Sequence, residues 1–183
     1  MAESDGHGWA RLVRSYGVTE ATATRLVGSL TASEAAALSF CRLLDRWARG
    51  EPEPSTPGLR QAALRHAAER AETALAGLEK PLERFLLELE PDIAEGRSWY
   101  GGPGAGEVLE WDAVLRRAGV SLCPRRVAQA YLELAVLVRA LQGLSDSARM
   151  EAPPDRSSLW AGLFDLRENL FESAVNDLRA LAA

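Results

Sequence analysis

Histidine, cysteine and lysine are the scarce residues of this 183-residue chain. Two histidines, His7 and His66, are too few for a multi-histidine metal site, so no metal or other cofactor is expected. Two cysteines, Cys41 and Cys123, are too few for a disulfide scaffold, which makes a reducing compartment the default. Basic residues are not in excess either: 21 stand against 26 acidic ones, a formal charge of −5. Sequence-independent nucleic-acid binding runs on clustered cations and counterion release, so this balance argues against it. Lys80 is the one lysine; the other basic residues are arginines.

Long hydrophobic runs are missing as well. The most apolar stretch, residues 127–141, carries Glu133 and Arg139 inside it. It falls short of the roughly 18–20 uninterrupted apolar residues that cross a bilayer and reads as a buried core helix, so no integral membrane segment is expected. The acidic, polar opening, residues 1–6, reads as neither a signal peptide nor a myristoylation site. A cytoplasmic location is the corresponding expectation.

β-branched residues are sparse and no window alternates, whereas Ala, Leu, Arg and Glu dominate. The fold class expected is all-α, with eight or nine helices. Short helices are expected over 9–16 and 19–30, with Thr19 as an N-cap and Gly17 as a breaker. Thr31 or Ser33 then opens another, with Glu34 in capping-box manner and an apolar stripe of Ala37, Phe40, Leu43, Leu44 and Trp47 ending at Gly50. Residues 51–58 are a proline-rich, acidic linker.

A helix follows over 59–78, and Pro81 suits the first turn of the next. Residues 96–106 form a glycine-rich loop, after which 107–122 and 124–144 read as two apolar helices. Asp155 or Ser157 caps a final stretch, 159–181, with a break expected near Asn169.

Candidate chemistry is thin. The glycine-rich loop has no Gly-Lys-Ser/Thr and follows no strand, so it lacks the context that aims backbone N–H groups at phosphate. Each cysteine lies on an apolar helical face, and nothing brings His66 to either thiol. Glu88, Glu90, Asp92 and Glu95 have no metal-ligand spacing. The chain is therefore not expected to be an enzyme.

Three segments carry a resemblance. Leu64-Arg65-His66-Ala67-Ala68-Glu69 places a small residue four positions after a leucine, followed by an acid. Trp111, 47 residues on, opens a helix with Glu110 before it and Asp112-Ala113-Val114-Leu115 after it. Trp160 starts Trp-Ala-Gly-Leu-Phe-Asp-Leu another 49 residues later. In order and spacing these resemble the third, first and second homology regions of the Bcl-2 family.

The resemblance implies a Bcl-2-like helical bundle over residues 32–183, packed around a central hydrophobic hairpin made of 107–122 and 124–144. Residues 1–31 would be an N-terminal helical extension, free to pack on the bundle, fill the groove or meet a second copy in a homodimer. It further implies a surface groove that takes the amphipathic helix of a pro-apoptotic Bcl-2 protein, with anchors at i, i+3/i+4 and i+7. Ala71, Leu75, Leu78, Leu82 and Leu86 would line the groove, with Val108, Ala113 and Leu115 as its far wall. Glu110 and Asp112 would make its rim acidic where the family carries an Asn-Trp-Gly-Arg pattern. The family's arginine is replaced by Ala113, so Arg116 or Arg117 would supply the charge that meets a ligand aspartate.

The implied function is apoptosis regulation, anti-apoptotic and of the compact kind seen in viral homologues, with recruitment to the mitochondrial outer membrane through partners. Two alternatives stand beside it: a Bcl-2 fold that binds a signalling adaptor and suppresses inflammatory signalling, and an unrelated helical subunit of a larger assembly.

Overall fold

A computed structural model describes residues 13–51, 54, 56–89, 103–120, 123–147 and 155–183. Among these, all regular structure is helical: α1 (Glu20–Ala48), α2 (Pro57–Leu89), α3 (Ala105–Arg117), α4 (Pro124–Ser147), α5 (Arg156–Leu166) and α6 (Glu172–Ala182). A π-helical segment, Arg167–Phe171, joins α5 to α6 without interruption, so the last two are one rod. The break expected near Asn169 is this widened turn.

Thr19 caps α1 as its sequence suggests, its hydroxyl accepting from the Thr22 amide. The helix then runs on through Thr31, where a second start was expected. Leu26, Leu30, Ser33, Ala37, Phe40, Leu44 and Trp47 are all buried at i, i+3/i+4 steps and form one uninterrupted stripe, apolar but for Ser33. Ser33 does not cap anything; its hydroxyl donates across to the Ala74 carbonyl of α2 at 3.1 Å. The boundary drawn between residues 31 and 32 thus falls in mid-helix. Of the expected 9–16 helix, Val13 and Arg14 alone are described as helical, and residues 9–12 lie outside the described residues.

Gly50 ends α1 at φ 81°, the left-handed region that a helix-terminating glycine occupies at low cost. Its amide bonds to the Trp47 carbonyl and that of Glu51 to Arg46, which satisfies the last open carbonyls. Gly119 repeats the arrangement after α3 at φ 82°, and here a Cβ would also lie 2.7 Å from the Arg60 guanidinium.

Pro81 does not begin a helix; it sits inside α2. An interior proline costs a helix about 3 kcal/mol. On either side of it Leu78, Leu82, Phe85 and Leu89 are fully buried, and each side chain contributes roughly 1.5–3 kcal/mol when removed from water. Packing therefore overrides the break.

α1 and α2 form the largest helix–helix interface and run antiparallel. Thr19 meets Glu88 and Ser33 meets Ala74; the step is fourteen residues on each helix, so the register holds along the pair. α6 packs on α2, and α4 is wedged between α1, α3 and α6. Val127, Ala128, Leu134, Leu137 and Leu141 of α4 have no exposure at all. α3 buries only Val108 and Leu115 among its described residues and lies on the outside, so the expected hairpin is central in one arm and peripheral in the other. Among the described residues no helix is long and apolar enough to cross a membrane.

Candidate partner-binding surface

The residues expected to line a groove occupy the core instead. Ala71, Leu75, Leu78 and Leu82 have no exposure and Leu86 has 6%. They face α1 and α6, the two helices that pack most extensively on α2. Val108 and Leu115 are also buried, but under α3, which packs on α4 and α1 rather than along α2. The structure therefore does not bring the two expected walls together. The physical reason lies in α2: unbroken at Pro81, it turns a single apolar stripe inward, whereas a groove needs two segments set at an angle.

The rim residues are exposed or half-buried at the surface of α3. Glu110 and Ala113 face solvent. Arg116, one of two arginines expected to meet a partner's acid, is held by Asp112 one turn earlier, Nε to Oδ2 at 3.1 Å. Arg117 bonds the Ala113 carbonyl of its own helix at 3.3 Å. Arg116 also borders a cavity of about 490 Å³ at the α3–α4 turn, together with Cys123, Arg126 and Asp177.

A different depression lies on the outer side of the α1–α2 pair. Two adjoining hollows, of about 380 and 530 Å³, share Ala35, His66 and Arg70 and so form one trough. Its floor is made of short side chains, among them Ala32, Ala35 and Ala36 from α1 and Ala63, Ala67 and Ala74 from α2. The long side chains of Arg42, Arg46 and Arg70 stand along it. From Ala32 to Arg46 it follows α1 for fourteen residues, a length of roughly 21 Å at 1.5 Å per residue. That is about four turns of helix.

The Leu64–Glu69 segment is split by this geometry. Leu64 and Ala68 point into the core, while His66 and Ala67 line the trough. Sequence reasoning missed the trough because alanine reads equally as core or surface. A signal was there: alanines at 32, 35 and 36 and at 63, 67 and 74 keep helical spacing on faces that arginine also shares.

Elsewhere the titratable groups are tied into structure. The Cys41 thiol is buried against the Tyr131 carbonyl at 3.9 Å. Burial, and secondarily the Asp45 charge, push its pKa up to about 12, so it is a thiol and not a nucleophilic thiolate. Tyr131 packs against Trp111, ring centroids 4.1 Å apart and planes tilted by 40°, and donates its hydroxyl to Asp45 at 2.6 Å. Burial and then that bond raise the phenol's pKa. This set joins α1, α3 and α4. His66 lies exposed in the trough and faces neither role.

Glu133, the acid inside the most apolar stretch, is 2% exposed. Its Oε1 accepts from Gln129 and from Ser173 of α6, both at 2.7 Å, while Oε2 has no hydrogen-bond partner among the described residues. Burial drives its pKa upward, with Asp177 adding to the effect and the two donors opposing it. Of the acidic cluster, Glu88 is described; Glu90, Asp92 and Glu95 lie outside the described residues, as do residues 96–102 of the glycine-rich loop. Among the described residues no group of three or more His, Cys, Asp or Glu is placed to hold a metal ion.

No family model, curated protein or solved structure matches the chain.

Proposed function

We propose that this protein acts by capturing an amphipathic helix of a partner protein, and that the α1–α2 trough is where the helix lies. The observation that carries the reading is the trough itself: two long antiparallel helices whose outer faces meet over a floor of alanine, about four turns long. A partner helix can lay bulky anchors at i, i+3/i+4 and i+7 into such a floor.

The narrower form of the proposal is a pro-survival, Bcl-2-like regulator that sequesters the death-motif helix of pro-apoptotic proteins at the mitochondrial surface. Its support is the order and spacing of the three resembling segments, the helical bundle and the burial of α4. The burial of Leu75, Leu78 and Leu82 counts against the family's usual groove, so this form requires the trough to serve in its place.

Fluorescently labelled death-motif peptides titrated against the purified protein test both forms. Submicromolar binding, abolished by Ala35→Trp or Ala67→Trp in the trough, is the expected result. Binding untouched by those substitutions overturns the trough as the site. Absence of binding for every peptide at tens of micromolar overturns the pro-survival form.

A second reading, a helical subunit of a larger assembly, is favoured by Leu87 and Leu109, large apolar side chains that are 70% and 54% exposed. It predicts co-purification in a complex of fixed stoichiometry, disrupted by Leu87→Glu.

A further inference from the structure

The charge on the trough is opposite in sign to that of the molecule. The chain carries −5 overall, yet Arg42, Arg46 and Arg70 line the trough, and Glu69 is the one acid among the described residues that line it. All three arginines are exposed, and none forms an ion pair with another described residue. Arg25, Arg65, Arg125 and Arg139 are likewise exposed without a carboxylate partner among the described residues; what sets Arg42, Arg46 and Arg70 apart is that they converge on one apolar depression. The trough thus sets three arginines, unpaired among the described residues, beside an apolar floor.

We infer that the trough is selective for an acidic helix: one that presents large apolar side chains to the alanine floor and carboxylates to the arginine-bearing walls. This rests on the helix-capture reading and adds the partner's chemistry to it. Arg42 and Arg46 stand one turn apart on α1, so acids spaced i, i+4 on one flank of the partner meet both. Arg70, on α2, meets an acid on the other flank. The floor contributes shape and the arginines contribute register and partner choice, because a helix with basic flanks would bring like charges together.

A second copy of the chain is the wrong occupant. Two troughs placed face to face about a two-fold axis set arginine against arginine and alanine against alanine, leaving a void and a repulsion. Nucleic acid is disfavoured because the described lining has no Phe, Tyr or Trp, and the lone His66 imidazole is not a platform for successive bases.

The test is selection from a displayed library of helical peptides that spans acidic, neutral and basic flanks. The 183-residue chain is used, as wild type and as the Arg42→Glu/Arg46→Glu/Arg70→Glu variant. These side chains are exposed, so the variant is expected to retain the wild-type helical circular dichroism. Wild type should enrich acidic-flanked helices, and the variant should enrich basic ones. An acidic peptide so selected should bind the variant about tenfold or more weakly. Its binding to wild type should weaken several-fold as salt rises from about 50 to about 300 mM.

Enrichment without a charge bias, or the same bias for both proteins, overturns the inference while leaving helix capture standing. Enrichment of nothing at all by either protein overturns both. A single-stranded oligonucleotide of about 20 nucleotides, titrated in parallel, supports the inference if it fails to compete with the selected peptide. Competition that the triple variant abolishes overturns it in favour of a polyanion site.

Discussion

Glu88 and Glu133 both accept short hydrogen bonds from neighbouring side chains, yet their acidities move in opposite directions. Glu88, near the end of α2, accepts from the Thr22 hydroxyl at 2.6 Å and from the amide and hydroxyl of Thr19. Its side chain stays 22% exposed, and the Thr22 bond leads the effects that hold its pKa below the usual range. Glu133, between α4 and α6, has donors just as short, but it is buried and one oxygen faces no donor among the described residues. Its pKa is pushed up. Glu88 also has more donors, with the Arg84 guanidinium a further one at 3.5 Å, but burial leads the effects on Glu133 and not those on Glu88. Water reaches the first carboxylate and is excluded from the second, and in a medium of low dielectric an incompletely solvated charge costs more than two hydrogen bonds return.

The contrast has consequences for stability that can be graded by size. Removing both donors from Glu133, with Gln129→Leu and Ser173→Ala together, leaves a buried carboxylate stripped of support. At neutral pH this should cost about 3 kcal/mol in urea denaturation, since a hydrogen bond to a charged group is worth about 1.5–3 kcal/mol and uptake of a proton caps the sum. The loss should shrink as the pH falls toward the ordinary carboxylate range and the group takes up a proton; an equal loss at both ends would refute the account.

Glu133→Gln addresses the charge directly. Because the folded pKa lies above the unfolded one, the folded state keeps its proton longer. The contribution of Glu133 to stability then falls as pH rises from the ordinary value of 4.5 through the raised folded value, and levels off beyond it. The Gln variant should lose that share of the descending limb and keep the share of Asp177, whose pKa burial also raises. Denaturation midpoints across this window check it.

Thr22→Val sharpens the other side. Glu88 has a lowered pKa, so its contribution is present above the ordinary carboxylate value and disappears as pH falls through the folded one. Losing the hydroxyl should cost about 1 kcal/mol at neutral pH and less in acid. Arg84→Ala should change least. That arginine is 73% exposed at 3.5 Å from Glu88, and exposed i, i+4 pairs are worth no more than about 0.5 kcal/mol.

Much of the helical layout could be read from the sequence because its signals are local. Thr19 and Asp155 cap the helices they were expected to cap, each accepting from the amide three residues on. Gly50 stops α1, and the proline-rich linker precedes α2. The errors come where distant packing outvotes a local cue. Thr31 and Ser33 look like a helix start, yet the stripe from Leu26 to Phe40 keeps α1 whole. Pro81 looks like a beginning, yet Leu78 and Leu82 on either side of it are sealed in the core.

The expected site failed for a related reason. Ala71, Leu75, Leu78 and Leu82 share one helical face, and a periodic apolar face shows that something covers it without showing what. Here the cover is the molecule's own α1 and α6, not a partner. The trough escaped notice because its floor is alanine, whose presence on a helix face has no fixed meaning until the neighbouring helix is placed beside it.

The two cysteines divide between surface and core: Cys123 is exposed where α4 begins, and Cys41 is buried with its thiol kept protonated. A thiol-reactive dye at neutral pH should accordingly attach once per folded molecule, and twice only when α1 leaves α4. The number of labels per chain then becomes a clock for that opening. With excess dye, the rate of the second attachment measures how often the bundle opens, with no engineered probe and no denaturant.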